Sequence, residues 1–394
     1  SRAARRMKAG SWPSIALIYL FGVLAAASLT KVIPLQQDFA DHIGMTLAQY
    51  TLLLSLLSIP AALTATVVGG VIDRVGARTA LICAAAAGAV ANLLFLLVLT
   101  PRGFHGVRLF EGLIMVGVYS GAPALIMATT SNERRGRAMA LWSTYTPVGV
   151  SLGLLLSSHF AGTPQWRGGY LVHGVLFAVL AIAGWLLPRP PARPAGVAAR
   201  RPSLFSALSQ PGPLRVALVF GTLVLVGFGV NTVFPGWYAR QEKISLGEAS
   251  GVLAGLNLTM IAGGVLTAAL LARGLRHAVL FRVFVALGLV AAIVMFQPDI
   301  PRAPRLAGLV TWLLVSGACI AVVTAMLPRV VANPLQGAAA AGLLSQIAAL
   351  TTFLTPYVWL PILGSGRWPL FIAVIAAAGV AGILLFPRAR DEAR

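Results

Sequence analysis

Long apolar stretches alternate with short polar segments along the whole chain. They predict helices at residues 13–33, 47–70, 79–99, 107–128, 137–159, 169–188, 215–236, 248–272, 278–297, 306–327, 337–362 and 368–387. Each is near the roughly 20 residues that an α-helix needs to cross a bilayer. A β-barrel would instead show alternating segments of about ten residues. The pattern therefore predicts an all-α integral membrane protein with twelve transmembrane helices.

One connection differs from the others in composition. Residues 188–202 are rich in proline and arginine and fall between the sixth and seventh predicted helices. Internal similarity supports a division there, because Thr30-Lys-Val-Ile-Pro34 parallels Asn231-Thr-Val-Phe-Pro235, as expected for a duplicated unit. The prediction is an N-terminal six-helix bundle at 1–188, a cytoplasmic linker at 189–212 and a C-terminal six-helix bundle at 213–394.

The charge distribution sets the topology. Only 10% of the residues are charged, against about 25% in soluble domains, yet the net charge is +20. Of the basic residues, 21 fall in termini and loops on one side and 7 on the other. This asymmetry follows the positive-inside rule and predicts cytoplasmic termini, without indicating nucleic acid. The Ala- and Arg-rich composition and short loops favour a bacterial inner membrane, and we expect a monomer.

Other classes of protein find little support. The two cysteines, Cys83 and Cys319, lie in apolar segments far apart and indicate neither a disulfide framework nor a metal cluster. A phosphate-binding loop or a nucleophile motif does not stand out either. We therefore expect no enzymatic activity, no cofactor and no metal.

The link between the second and third helices carries a motif. Gly69-Gly-Val-Ile-Asp-Arg-Val-Gly-Ala-Arg78 has the form G-x-x-x-D-R-x-G-x-R and resembles the loop 2–3 signature of the major facilitator superfamily. Arg108-Leu-Phe-Glu-Gly112 resembles the R-x-x-x-G motif on helix 4 of that family. The resemblance implies a secondary transporter in which two six-helix bundles rock around a midplane site.

The loop motif is expected to act as a conformational latch. By resemblance, Asp73 would contact the start of the eleventh predicted helix, at 337–362, in the outward-open state. The positive end of that helix's dipole would attract the carboxylate. The remaining latch residues are Gly69, Arg74, Gly76 and Arg78. Independently of the resemblance, Gly76 would permit a tight reversal between two helices.

Two charged groups inside helices are candidates for function. Glu111 is the one acid placed well inside a helix, on the same stripe as Arg108 and Tyr119. Glu111 would couple transport to protons, or it would form a static ion pair with Arg108. Lys31 would hold an anionic group of the substrate, or it would extend to the outer interface as lysines near helix ends do.

The remaining substrate contacts are expected from polar and aromatic residues within the predicted helices. They are Tyr119, Tyr145, Asn231, Trp312 and Gln346, each of which alternatively serves as a contact between helices. His173, on the peripheral sixth helix, is expected to be structural.

These residues favour proton-coupled uptake of a small organic solute, anionic because Lys31 and Arg108 outnumber Glu111. The alternative is export of drugs or metabolites by proton antiport. Helix 5 departs from the antiporter signature at Leu154 and at Ser157-Ser158, which weighs against that alternative. The expected partners are a small-molecule substrate, protons and membrane lipid.

Overall fold

The computed structural model describes residues 7–189, 210–331 and 334–387, and their regular secondary structure is entirely helical. The chain divides into two compact units. One comprises Ser1–Val197 with Ser245–Ala254, and the other comprises Ala198–Ile244 with Gly255–Arg394. Most of the predicted linker, residues 190–209, lies outside the described residues, so the predicted domain boundaries stay a prediction.

The helices of the N-terminal part are α1 Trp12–Ala27, α2 Gln36–Ile43, α3 Leu47–Leu56, α4 Ile59–Val75, α5 Ala77–Leu97, α6 Pro101–Thr129, α7 Asn132–Trp142, α8 Tyr145–Ser158 and α9 Gly168–Ala183. Those after the linker are α10 Pro211–Glu242, α11 Leu246–Leu256, α12 Thr259–Ala272, α13 His277–Phe296, α14 Arg302–Met326, α15 Pro334–Ser365 and α16 Pro369–Leu385. Short 3₁₀ turns occupy Ile33–Leu35, Gly184–Leu186 and Leu327–Arg329.

The expected number of membrane crossings is present. Within the described ranges, ten helical segments are long and apolar enough to cross a bilayer, some of them combining two helices across a short break. Two shorter apolar helices, α1 and α16, complete the predicted twelve. The all-α membrane fold predicted from the sequence is confirmed.

Four of the predicted helices are present but are not continuous, so the prediction of an unbroken helix was wrong for each of them. The helix at 13–33 ends at Ala27, and 47–70, 137–159 and 248–272 each consist of two helices. In the first case the N–H groups of Leu29 and Thr30 bond three residues back, to Ala26 and Ala27, which tightens the backbone before Pro34. At the second break, Pro60 lies in the first turn of α4, where its missing N–H costs nothing.

Helix α6 corresponds to the fourth predicted membrane helix, at 107–128, but it begins earlier, at Pro101. Thr100 caps it, since its hydroxyl accepts a hydrogen bond from the Gly103 N–H at 3.2 Å, and Pro101 follows in the first turn. Arg108 therefore lies seven residues inside the helix, about 10 Å along its axis.

Close helix packing brings the polar residues of the first unit together. Helix α6 packs against α1 and α5, and α9 packs against both α5 and α1. A Cβ on Gly112 would collide with the carbonyl oxygen of Leu57, so only glycine lets α6 approach the break between α3 and α4 this closely.

Candidate functional site

Three charged side chains meet inside the first unit. Glu111 Oε1 lies 2.5 Å from Lys31 Nζ, and Glu111 Oε2 lies 2.7 Å from Arg108 Nη1. Lys31 and Arg108 are fully buried, and Glu111 is 2% exposed. With the polar groups around them they form what we call the charge cluster, which comprises Ser28, Lys31, Asn92, Arg108, Glu111 and His173.

Local structure explains how the three charges meet. Arg108 and Glu111 are three residues apart on α6, so they share one face of the helix. Lys31 lies in the tightened backbone between α1 and the 3₁₀ turn at Ile33–Leu35, and not within a regular helix. The early end of α1 thus coincides with the position of its charged residue.

The ammonium of Lys31 has a partner for each of its three protons. Besides Glu111, it donates to Asn92 Oδ1 at 2.7 Å and contacts His173 Nδ1 at 3.2 Å. It also lies 4.9 Å from the ring centre of Phe95 and 5.1 Å from that of Tyr170. Burial of a charge is costly without such compensation, and these contacts supply it for Lys31.

Backbone contacts fix the orientation of both neutral partners of Lys31. Asn92 Nδ2 donates to the carbonyl of Gly88 at 2.8 Å, which directs Oδ1 towards the ammonium. His173 Nε2 lies 2.9 Å from the carbonyl of Leu24 and must be the donor there, because a carbonyl only accepts. His173 Nδ1 therefore carries the lone pair, and the neutral imidazole accepts from Lys31.

Arg108 has one terminal nitrogen without a hydrogen-bond partner among the described residues. Its Nη1 donates to the carbonyl of Ser28 at 2.7 Å as well as to Glu111, and its Nε donates to the carbonyl of Leu53 at 3.2 Å. Ser28 Oγ donates to Glu111 Oε1 at 2.7 Å. Arg108 Nη2 is buried and has no hydrogen-bond partner among the described residues. The cluster therefore holds two cations against one carboxylate, with an unused donor.

These contacts decide between several of the sequence-based expectations. The alternative prediction that Lys31 extends to the outer interface was wrong, since the side chain is fully buried. The Arg108–Glu111 ion pair exists, but it is shared with Lys31. His173 is buried as expected of a structural residue, and it also belongs to the charge cluster.

Asn92 was not among the residues predicted to form the site. It is the one amide within the predicted helix at 79–99, and that signal was available. Buried polar groups in membrane helices mark contacts between helices or functional sites.

Tyr119 and Tyr145 are brought together in the same unit. Their ring centres are 5.2 Å apart, and the ring of Tyr145 also lies 4.3 Å from that of Trp142. The hydroxyl of Tyr119 is buried without a partner among the described residues. Tyr119 is eight residues after Glu111 on α6, about 12 Å along the axis.

The second unit holds the other predicted contacts on three different helices. Asn231 on α10 is 7% exposed and donates from Nδ2 to the carbonyl of Gly227 at 3.1 Å, while its Oδ1 has no described partner. Trp312 on α14 is buried and lines an apolar cavity of 280 Å³. Gln346 on α15 is half-buried. None of these three contacts another in the described hydrogen-bond or ring pairs.

The residues of the predicted latch lie at the end of α4 and the start of α5. Gly69 and Asp73 fall within α4, and the side chain of Asp73 is outside the described part of the structure. Gly76 has a φ of +87° between the two helices, which confirms the predicted reversal. Arg74 is exposed, so its side chain is available for a contact elsewhere.

Arg78 is engaged within the first unit. Its Nε donates to the carbonyl of Leu187 at 2.9 Å and its Nη2 to that of Trp185 at 2.8 Å. It thus satisfies carbonyl groups at the end of the sixth transmembrane segment, where an arginine also complements the helix dipole. The latch role of all five residues stays a prediction. Among the described residues, no group of three or more His, Cys, Asp or Glu side chains is placed to hold a metal ion.

Comparison with known proteins agrees with this architecture. Two solved structures of a bacterial homologue of the human lysosomal transporter Spinster, inward-facing unoccupied and inward-facing occupied, superpose with TM-scores of 0.82 and 0.74. Identity is 15% and 16%, and each alignment covers 98% of this chain and 100% of the other. At this identity the similarity shows the fold alone.

Sequence comparison identifies the family. A segment of 87 residues is 34% identical to MFS-type transporter 1 of Pyricularia oryzae, and it spans 21% of this chain and only 14% of that protein. The model of the Major Facilitator Superfamily matches residues 15–356, which is most of the chain. The protein therefore belongs to the major facilitator superfamily and is a multi-pass membrane transporter, not an enzyme.

Proposed function

We propose that this transporter carries a small organic anion into the cell together with protons, by alternating access. The observation that carries the proposal is the charge cluster, in which Lys31 and Arg108 are buried against the single carboxylate of Glu111. The distribution of basic residues supports cytoplasmic termini, and we propose that the membrane is a bacterial inner membrane.

The charge balance favours binding of a proton and an anion together. With Glu111 ionised, the cluster has one net positive charge; with Glu111 protonated, it has two. Breaking a buried ion pair by removing one partner costs about 3–5 kcal/mol, because a charge is left uncompensated. A substrate anion supplies the compensating charge, so protonation of Glu111 and binding of the anion stabilise one another. By thermodynamic reciprocity, each then raises the affinity for the other.

The free donor of Arg108 gives the anion a place to bind. Arg108 Nη2 is unpaired in the described structure, and Nη1 loses an ionised partner once Glu111 is protonated. A planar guanidinium with two adjacent N–H groups matches a carboxylate in a bidentate arrangement. In this mechanism Glu111 exchanges the proton, Arg108 binds the anion, and Lys31 contributes its charge.

The remainder of the substrate would contact polar and aromatic side chains. The hydroxyl of Tyr119 and Oδ1 of Asn231 are buried groups with unused hydrogen-bonding capacity in the described residues. Tyr145 contributes a ring beside Tyr119, and Gln346 an amide. These four residues are proposed to set specificity, while Gly69, Asp73, Arg74, Gly76 and Arg78 form the latch.

The test uses purified protein in liposomes with a trapped pH dye and a panel of organic acids, amines and neutral metabolites. We expect an organic acid to carry protons inward, and we expect Glu111→Gln to abolish this proton movement while exchange of the acid continues. Lys31→Ala should weaken the acid response. Glu133→Gln, the same change at an exposed position, and Lys8→Ala serve as matched controls.

The panel also separates the two directions of transport. Proton movement in the opposite direction, driven by amines or neutral amphipaths alone, would replace this proposal with the antiport exporter. Acid-driven proton movement that survives in Glu111→Gln would contradict the role of Glu111.

A further inference from the structure

An apolar cavity of 280 Å³ lies inside the second unit. Side chains from α10, α12, α13, α14 and α16 line it, and α10 packs on α14, α14 on α13, α13 on α16 and α16 on α10. Its walls are formed by aromatic and aliphatic side chains such as Phe281, Phe284, Trp312, Val315 and Ile375. The volume is close to the lower end, about 300 Å³, of pockets that hold small ligands.

Small residues create this space. A Cβ on Gly227 would meet no atom within 4 Å, although Gly227 lies in the middle of α10 and lines the cavity. Gly288 and Gly379 line it from α13 and α16. Water needs two to four polar partners, and one of the hydroxyls in the wall, that of Thr222, already donates to the carbonyl of Val219 at 2.8 Å. The cavity therefore suits hydrocarbon.

The cavity opens between α13 and α16. Of its lining residues, Arg282 and Ala286 on α13 are exposed, and Val380 on α16 is 57% exposed. The surface around this mouth is apolar, with Leu287 46% and Leu384 69% exposed, as expected for a face in contact with lipid chains. An opening on this face would connect the cavity with the lipid phase.

Arg282 is placed to select what enters. It lies five residues after the start of α13, about 7.5 Å along the axis, where an arginine reaches the headgroup region. It has no hydrogen bond or ion pair to any described residue, and its charge is predicted on the cytoplasmic side. From Phe281 to Leu289 the lining of α13 extends for about 12 Å, which accommodates part of an acyl chain.

We propose that the cavity holds one acyl chain of an anionic phospholipid whose phosphate binds Arg282. In this proposal Trp312, predicted as a substrate contact, contacts lipid instead; its ring approaches within 3.7 Å of a Cβ built on Gly288. The lipid would fill a void in the bundle and support the packing of α13 and α16. This inference does not depend on proton coupling or on the nature of the transported solute.

The experiment measures quenching of Trp312 fluorescence by lipid chains that carry bromine at mid-chain. The protein is reconstituted into vesicles containing either brominated phosphatidylglycerol or brominated phosphatidylcholine, and the Trp312 signal is the difference between wild type and Trp312→Phe. We expect phosphatidylglycerol to quench with an apparent affinity about fivefold higher, the factor that corresponds to about 1 kcal/mol for one basic residue at an anionic surface.

Two pairs of variants locate the lipid. Gly227→Leu fills the cavity and should abolish the Trp312 signal, whereas Gly264→Leu should preserve it, because its Cβ also meets open space but outside the cavity. Arg282→Gln should remove the preference for phosphatidylglycerol, whereas Arg273→Gln, also exposed and predicted on the same side, should not.

Several results would overturn the proposal. Equal quenching by the two lipids in wild type would exclude the role of Arg282, and a Trp312 signal unchanged by Gly227→Leu would mean that the cavity is empty. If Gly227→Leu does not fold, Ala286→Phe closes the mouth at an exposed position and must give the same loss of signal. Neither result bears on acid-driven proton movement, so this proposal and the proposed function fail independently.

Discussion

Removal of the single carboxylate from the charge cluster should be more damaging than removal of Lys31, one of its two cations. Glu111→Gln leaves Lys31 and Arg108 buried with two net positive charges. Loss of one partner of a buried ion pair costs about 3–5 kcal/mol. Because 1 kcal/mol shifts the melting temperature of a unit of 150–250 residues by about 2–4 °C, we expect Tm to fall by on the order of 10 °C.

Lys31→Met should be milder because it leaves one cation against one carboxylate. Glu111 keeps Arg108 Nη1 at 2.7 Å and the hydroxyl of Ser28 at 2.7 Å. The remaining cost comes from Asn92 Oδ1 and His173 Nδ1, which lose their donor, at about 1–3 kcal/mol for each unsatisfied group. Removing the desolvation of the ammonium offsets part of that loss.

The double variant tests whether the net charge of the cluster determines its stability. Glu111→Gln with Lys31→Met restores the one net positive charge of the wild type, so its loss in Tm should be smaller than the sum of the two single losses. The assay is thermal unfolding followed by intrinsic fluorescence in one detergent at one pH, with the exposed change Glu133→Gln as control. Equal losses for the two single variants, or strict additivity in the double, would refute this account of the cluster.

Three further predictions concern other contacts of the first unit. Burial raises the pKa of Asp38 above its ordinary 3.8, although the hydrogen bond from the Gly162 N–H acts in the opposite direction. The folded state therefore binds the proton more tightly than the unfolded state does. As a result, the free energy of unfolding falls as the pH rises through that raised pKa. Asp38→Asn should flatten the fall of Tm as the pH rises above the ordinary pKa of 3.8, and it should raise Tm at pH values above the raised pKa. An unchanged slope would contradict this. Gly112→Ala should destabilise the folded state by about 1–3 kcal/mol through overpacking and therefore lower Tm. Gly106→Ala, whose Cβ meets no atom within 4 Å, should leave Tm unchanged. Arg78→Gln, which loses donors to two carbonyls, should make the end of the sixth segment exchange its amide hydrogens faster, and protection equal to wild type would show that these bonds contribute nothing.

Much of the fold and the charged centre of the site followed from the sequence. Apolar stretches of bilayer length are a strong signal, and a rare acid in such a stretch, Glu111, stands out. The sequence also paired Arg108 with Glu111, because residues three apart on a helix share a face.

The rest depended on contacts between distant segments. Asn92 and His173 join Lys31 only because α5 and α9 pack beside α1, and no periodicity within one helix reports that packing. The interruptions after Ala27 and before Ile59 were missed because the apolar pattern continues through them; short-range hydrogen bonds and proline decide the break. The environment of Trp312 was likewise set by glycines on neighbouring helices.

The most direct test of the central claim is the pH dependence of equilibrium anion binding, with the organic acid that is most active in the liposome panel. If Glu111 must be protonated for the anion to bind, Kd in wild type should rise up to tenfold for each pH unit above the pKa of that carboxyl, by linkage. Glu111→Gln, which resembles the protonated form, should bind the anion with a Kd independent of pH. The same pH dependence in both proteins, or pH-independent binding in wild type, would contradict coupling through Glu111.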